Sequence, residues 1–181
     1  AIRLAPSRAP FVCRSPEMET LERARRRACG GQTTFVALTG EAGIGKSRLV
    51  YEFQRTLSGT PHFWFEAASD ASRTGEAYGV ARRLVIDPSR ANRLSEARLR
   101  ELLTLAGIPP ETGLPLIAPF IGLGAAASAP AAEDRRRALN DLLVQWIIAR
   151  TRHRPCVIVI EDVQWADPST LDLLRNLAGL K

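Results

Sequence analysis

Short apolar runs and amphipathic segments alternate along the chain. Residues 33–39 (TTFVALT) and 156–160 (CVIVI) are apolar, rich in β-branched residues and too short for a helix, which is typical of strands buried on both faces. Residues 61–68 (PHFWFEAA) form a third predicted strand. Strands that alternate with helices indicate a parallel sheet. The pattern therefore predicts an α/β fold.

Apolar residues recur at helical spacing in five segments. The strongest is 133–150, which has acidic residues in its first turn and an apolar stripe along one side. Ser15 is the expected N-cap of the first helix and Pro16 its first residue, and Asp167 and Pro168 are expected to begin a last helix in the same way. The other predicted helices cover residues 15–28, 49–57, 76–86 and 95–106.

One uncharged stretch, residues 112–132, is as long as a membrane-spanning helix. Pro115, Pro119 and Pro130, together with three glycines, interrupt it repeatedly, so we do not expect a continuous lipid-facing helix. We interpret the stretch as a buried or partly mobile connector. No membrane partner is predicted.

Residues 40–47 (GEAGIGKS) match the phosphate-loop, or Walker A, pattern GxxxxGK[ST] between a predicted strand and a predicted helix. The glycines let the backbone approach a phosphate closely, and the amides of 42–47 can form an anion nest. Lys46 would reach the β and γ phosphates, and Ser47 would place its hydroxyl on Mg²⁺. The competing interpretation is a glycine turn that only joins strand to helix. The expected nucleotide-binding residues are Gly40, Glu41, Ala42, Gly43, Ile44, Gly45, Lys46, Ser47 and Arg48.

Two carboxylates, Glu161 and Asp162, end the strand predicted at 156–160, as in a Walker B motif. Triphosphate chemistry needs carboxylates near its magnesium, and a parallel sheet supplies them from the carboxyl end of a neighbouring strand. Glu161 would hold Mg²⁺ together with Ser47, and Asp162 would orient or deprotonate the attacking water. The sequence does not separate these two catalytic roles, and acids that merely cap backbone amides are the alternative.

Two residues after the acidic pair have simpler interpretations. Asp167 is expected to act as a helix N-cap, since aspartate before proline is a common helix start. Trp165 is expected to pack rather than to stack on a base.

Arginine greatly outnumbers lysine, and the basic residues are unevenly distributed along the chain. Of the 25 basic residues only Lys46 and Lys181 are lysines, and the formal net charge is +6. Residues 33–72 nevertheless carry three basic against four acidic residues, so the positive charge lies outside the motif region. Arg25–Arg27 and Arg135–Arg137 are expected to be solvated helix faces. Without a helix-turn-helix or RNA-binding signature, we expect no nucleic-acid partner for this fragment.

The cysteines and the N-terminal residues indicate the cellular location of the protein and the extent of the sequence. Cys13, Cys29 and Cys156 form no CxxC pair, and two histidines give no zinc-ligand spacing. We expect reduced, mostly buried thiols and a cytoplasmic location. The sequence begins without a methionine or a signal-type apolar run, so we expect a piece of a longer protein.

The motifs resemble the AAA-type, Orc1-like ATPase domain of bacterial signal-transduction ATPases with numerous domains, the STAND class of P-loop NTPases. The resemblance rests on GEAGIGKSRLV (40–50), VIVIEDVQWADPSTLDLL (157–174) and FVCRSPEMETL (11–21), and covers roughly residues 10–181. Such modules accompany class III adenylate cyclases and LuxR-type transcription regulators. The resemblance implies a P-loop three-layer sandwich with a mainly parallel sheet, ATP and Mg²⁺ as cofactors, and output domains of the same chain as partners.

The chain departs from the family pattern at three positions. The family usually opens with Phe-Val-Gly-Arg-Glu near the adenine, whereas Cys13 and Ser15 here replace the glycine and the glutamate around a retained Arg14. Gln164 stands where histidine is common. The resemblance also implies a later sensor strand and helical lid. We therefore expect a linker at 1–14 and a P-loop ATPase domain at 15–181 that is incomplete at its C-terminus.

Together these features predict a module that binds ATP with Mg²⁺, hydrolyses it slowly and acts as a regulatory switch in a multidomain signalling protein. The alternative is the ATPase part of a DNA-binding transcription or replication regulator, which salt-dependent DNA binding would favour. A P-loop kinase would need an acceptor site and lid arginines that the sequence does not show. Hydrolysis by this chain, preference for ATP over GTP, and a homo-oligomer all stay open.

Overall fold

The computed structural model describes residues 11–69, 78–85, 95–123, 132–152 and 154–179. These residues form seven α-helices and two β-strands, which confirms the α/β class. The chain divides into two compact units. The first unit comprises residues 1–62 with 178–181, and the second comprises residues 63–177.

The first unit contains helix α1 (Ser15–Cys29) and helix α2 (Lys46–Thr56). Both helices were predicted, but the prediction of Ser15 as the N-cap of α1 is wrong. Arg14 occupies the N-cap, because the Met18 N–H donates to the Arg14 carbonyl at 3.0 Å and closes the first turn there. The side chain of Arg14 makes no capping bond and is available for other contacts.

Residues 33–39 form no strand, so that prediction is wrong. In this run Phe35 is 54% exposed and Val36 is 39% exposed. Apolar and β-branched residues favour a strand only where a neighbouring strand supplies hydrogen bonds and packing. The sheet of the described residues has two strands, both in the second unit, and residues 33–39 take no part in it. The glycine loop is therefore preceded by an irregular segment.

The second unit contains a parallel pair of strands, β1 (Phe63–Ala68) and β2 (Cys156–Glu161). Their register places Phe63 opposite Cys156 and Ala68 opposite Glu161. Beyond the last pair, the Ser69 N–H donates to the Glu161 carbonyl at 3.0 Å. Two of the three predicted strands are thus confirmed, and the carboxyl ends of both meet at one edge of the sheet.

Helices supply most of the buried side chains of the second unit. Leu103, Ile117, Leu143 and Leu173 are fully buried, each on a different helix. The helices predicted at the positions of α4, α6 and α7 are confirmed, and α3 covers all but the first of the described residues, 78–85, in the segment predicted at 76–86. The helices are α3 (Gly79–Val85), α4 (Glu96–Leu105), α5 (Pro110–Phe120), α6 (Ala132–Thr151) and α7 (Pro168–Ala178).

Helix α5 continues through Pro115 and Pro119, where the sequence predicted interruptions. Tight packing on α4 explains the difference. A Cβ added at Gly113 would lie 2.7 Å from Leu103 Cδ2, and Ile117 is fully buried. The free energy gained by burying this apolar face offsets the cost of the helix hydrogen bonds that are lost because proline has no N–H. The rest of the predicted connector, at 124–131, lies outside the described residues.

Solvent reaches the cysteines more than predicted. Cys13 and Cys29 are exposed and Cys156 is partly exposed, all three as free thiols. The expectation of mostly buried thiols is therefore wrong. The exposure of Cys29 follows from its place at the end of α1, a helix without buried residues. In the ranges that the structure describes, no helix is long and apolar enough to cross a membrane.

Glu22 of α1 is held by two arginines, which makes its contribution to stability depend on pH. Arg25 donates to both Glu22 carboxylate oxygens at 2.7 Å, and Arg26 donates to one at 3.1 Å. The Arg25 bonds, aided by Arg26, lower the pKa of Glu22 from 4.5 to about 2. Because the folded pKa is depressed, this stabilisation is fully present above about pH 4.5 and is lost as the pH falls through 2.

Titration of the Glu22 carboxyl by NMR is expected to show a midpoint near pH 2. Arg25→Ala should raise that midpoint towards 4.5, whereas Arg23→Ala, which removes an arginine that contacts Thr20, should leave it in place. An unshifted midpoint in Arg25→Ala would contradict the assignment of the cause.

Candidate functional site

The glycine loop before α2 adopts backbone conformations that side chains with a Cβ disfavour. Gly43 has φ +80° and Gly45 has φ +96°. Gly45 is the N-cap of α2, in the left-handed region, and its carbonyl accepts the Leu49 N–H at 3.0 Å. The Gly45 cap makes no side-chain hydrogen bond, and no acidic residue lies in the first turn of α2. This end of α2 attracts anions.

Lys46 is the first residue of α2, and its ammonium folds back onto the loop. Its Nζ donates to the carbonyl oxygens of Gly40 and Glu41, each at 2.9 Å. Both bonds are exposed to solvent, so a phosphate oxygen can compete for the ammonium. The structure thus places a flexible cation beside the main chain of the loop.

The hydrogen-bond donors and the hydroxyl of the loop are suited to bind a polyphosphate and a magnesium ion. Main-chain N–H groups and an ammonium are donors that phosphate oxygens accept, and the Ser47 hydroxyl is a hard oxygen of the kind that Mg²⁺ takes as a ligand. A Cβ at Gly40 would lie 3.1 Å from Ile44 Cγ2, so the loop is closely folded at its first residue. The residues present therefore fit the predicted ligand.

Arg48, predicted among the nucleotide contacts, has a different partner for its side chain. Its guanidinium lies 2.6 Å from the Glu52 carboxylate and 5.8 Å from the centroid of the Tyr51 ring. Arg55 pairs with the other oxygen of Glu52 at 2.8 Å. These pairs stabilise α2 along its length, so we expect a nucleotide contact at residue 48 to come from the main chain.

The acidic pair of the second unit lies at a strained turn. Glu161 is the last residue of β2, and Asp162 follows it with φ +54°, a left-handed conformation that is uncommon for a residue with a side chain. The chain then enters a short 3₁₀ turn at Val163–Trp165. Gln164 Nε2 donates to Asp162 Oδ1 at 3.3 Å, a contact that the sequence did not predict. Such strain is enriched at functional sites.

Asp167 is confirmed as the N-cap of α7, and it does more than cap. It is 5% exposed, and its carboxylate accepts the N–H and the hydroxyl of Thr170. It also accepts the N–H of Tyr78, a buried residue with φ +60°, at 2.9 Å. Trp165, expected to pack, is 47% exposed, because the 3₁₀ turn that carries it has no buried residue.

The predicted site residues fall into two groups. Residues 40–48 lie in the first unit, and Glu161 and Asp162 lie in the second. Within the first unit the structure brings Lys46 and the glycines together at the N-terminus of α2. The joint action of Ser47 and the acidic pair on one magnesium stays a prediction.

Comparison with known proteins identifies the family of the chain. A family model described as the AAA ATPase domain matches residues 10–181. The chain belongs to the AAA ATPase domain family. Membership implies a P-loop NTPase that binds ATP, usually with Mg²⁺. The prediction of an AAA-type domain is therefore confirmed, whereas its Orc1-like and STAND-class features stay predictions.

One relative of this AAA ATPase domain is an uncharacterized protein of Rhizobium meliloti (strain 1021). The two are 25% identical over 180 residues, which cover 94% of this chain and 17% of that protein. The chain thus spans about a sixth of the length of the curated relative it matches. No solved structure matches the chain.

Proposed function

We propose that this AAA ATPase domain binds ATP with Mg²⁺ through residues 40–47 and serves as a regulatory switch in a larger, STAND-class signalling protein. The observation that carries the proposal is the geometry of the loop. Lys46 and the left-handed Gly45 N-cap present an ammonium and the main-chain amides of the start of α2 at one place. A triphosphate is the common ligand that uses all of these donors together.

Each residue of the loop has a separate task in this proposal. Lys46 exchanges the carbonyls of Gly40 and Glu41 for oxygens of the β and γ phosphates. The amides at residues 42–47 bind the phosphates along the loop, and the Ser47 hydroxyl is a ligand for the metal. When bound, Mg²⁺ neutralises negative charge on the β and γ phosphates.

Hydrolysis is assigned to the acidic pair. Glu161 is a metal ligand, directly or through water, and Asp162 orients or deprotonates the attacking water. The proposal includes a P-loop three-layer sandwich with a mainly parallel sheet.

Thermal unfolding tests the proposal. ATP with Mg²⁺ is expected to raise the unfolding temperature of the chain, and removal of Mg²⁺ with a chelator should reduce the rise. A protein whose unfolding temperature does not respond to ATP would contradict the proposal. Salt-dependent binding of duplex DNA without such a response would favour the DNA-binding regulator instead.

Asp162→Asn separates binding from turnover. We expect the variant to keep the ATP affinity of the wild type and to release phosphate about 100-fold more slowly, because an amide cannot accept the proton of the attacking water. Single-turnover phosphate release measures this, with Asp172→Asn, a change on the surface of α7, as the matched control. Equal release by Asp162→Asn and the wild type would assign the base to another residue.

A further inference from the structure

The segment before α1 makes a direct contact with the glycine loop. Arg14 Nη2 donates to the carbonyl oxygen of Ile44 at 2.7 Å, across 30 residues of sequence. The same guanidinium donates through Nη1 to Glu17 Oε1 at 2.9 Å. Arg14, Glu17 and Ile44 all lie in the first unit, so the contact belongs to one compact body.

The bonded carbonyl fixes the orientation of the next amide. In a trans peptide the C=O and the N–H point in opposite directions, so a carbonyl of Ile44 held towards Arg14 turns the Gly45 N–H away from it. Gly45, with φ +96°, is the N-cap of α2 and the residue before Lys46. The amide that Arg14 orients is therefore one of the donors at the anion-binding end of α2.

The charge on Arg14 also strengthens that donor. A hydrogen bond from a guanidinium polarises the peptide whose carbonyl accepts it, and a polarised peptide has a more positive N–H. Glu17 fixes the guanidinium from its other side, because the two bonds use different nitrogens of the same planar group.

We propose that Arg14 is a positioning residue of the phosphate loop, which holds the Ile44–Gly45 peptide with its N–H directed to the phosphates. This inference rests on the proposed function of residues 40–47. It gives the segment before α1 a role in binding the phosphates that does not depend on the base of the nucleotide. Arg14 acts through the main chain of the loop and does not touch the ligand.

The test compares ligands with and without a nucleoside. Affinities for ATP, GTP and inorganic tripolyphosphate are measured by calorimetry for the wild type and for Arg14→Ala. We expect Arg14→Ala to weaken all three by the same factor, about five- to ten-fold, the effect of one misoriented amide. Arg14→Lys should recover part of the loss, since one ammonium keeps the charge but not the two-sided fork.

Matched variants separate positioning from net charge. Arg23→Ala removes an arginine of α1 that donates to the Thr20 hydroxyl, and it should leave the three affinities unchanged. Glu17→Gln retains Arg14 but loosens its guanidinium, and we expect a smaller loss of the same kind. In the ligand-free protein, Arg14→Lys should shift the Gly45 amide resonance and leave that of Gly59 in place, a readout that needs no ligand.

The outcomes distinguish this inference from the proposed function. Unchanged affinities in Arg14→Ala, with ligands bound by the wild type and lost in Lys46→Ala, would overturn the inference alone. A loss confined to the nucleotides, with tripolyphosphate unaffected, would also overturn it and assign Arg14 to the nucleoside. If the wild type bound none of the three ligands, the proposed function would fall and the inference with it. If Arg14→Ala does not fold, the test is the Gly45 amide resonance of ligand-free Arg14→Lys. A resonance at the wild-type position would overturn the inference.

Discussion

Lys46→Ala is expected to lower the affinity of the chain for ATP by about 100-fold, or 2.8 kcal/mol. The substitution removes a charge-assisted contact to the β and γ phosphates, and such contacts contribute about 1.5–3 kcal/mol each. It also removes the two bonds that close the loop onto Gly40 and Glu41. Calorimetric titration with ATP and Mg²⁺ measures the change.

Two further variants separate the role of Lys46 from that of positive charge in general. Arg55→Ala removes a cation from the far end of the same helix, where it pairs with Glu52, and should bind ATP like the wild type. Lys46→Arg keeps the charge but replaces a compact ammonium with a planar fork, and we expect it to recover little affinity. Equal binding by Lys46→Ala and the wild type would refute the assignment of the phosphate loop.

Asp167→Ala is expected to destabilise the second unit by about 3 kcal/mol, the largest effect on stability that we predict. The carboxylate is buried and accepts bonds from Tyr78 and from both donors of Thr170. Its removal costs the cap of α7, about 1 kcal/mol, and leaves buried donors unpaired at about 1–3 kcal/mol in total.

Tryptophan fluorescence during urea unfolding reports on the change at Asp167. The three tryptophans of the chain, Trp64, Trp146 and Trp165, all lie in the second unit. Asp172→Ala is the matched control, because this half-exposed aspartate of α7 pairs with Arg136 and Arg175, and such pairs contribute less than about 1 kcal/mol. Similar unfolding free energies for the two variants would show that Asp167 is not a structural link.

The sequence predicted correctly those elements that depend on residues close together in the chain. The stripe of α6, the apolar run of β2 and the Asp167 cap each follow from spacing or chemistry within a few residues, and each is confirmed. The glycine loop belongs to the same class, because its conformation depends on Gly43 and Gly45 and on the helix that follows.

The missed features depend on distant partners. A strand at 33–39 requires a neighbour, and the continuation of α5 through Pro115 depends on its packing against α4. The contact of Arg14 with Ile44 spans 30 residues, and that of Tyr78 with Asp167 spans 89. No periodicity or capping pattern encodes such pairs. The contacts that join the phosphate loop and α7 to distant segments are therefore visible only in the structure.

The most direct measurement of the central claim is a titration of the ¹⁵N-labelled, 181-residue chain with ATP and Mg²⁺, followed through its backbone amides. We predict saturable shifts that are largest at Gly43, Gly45 and Lys46, with the same amides responding to inorganic tripolyphosphate. Amides of the loop that stay in place while ATP is added, or shifts confined to other parts of the chain, would contradict the account.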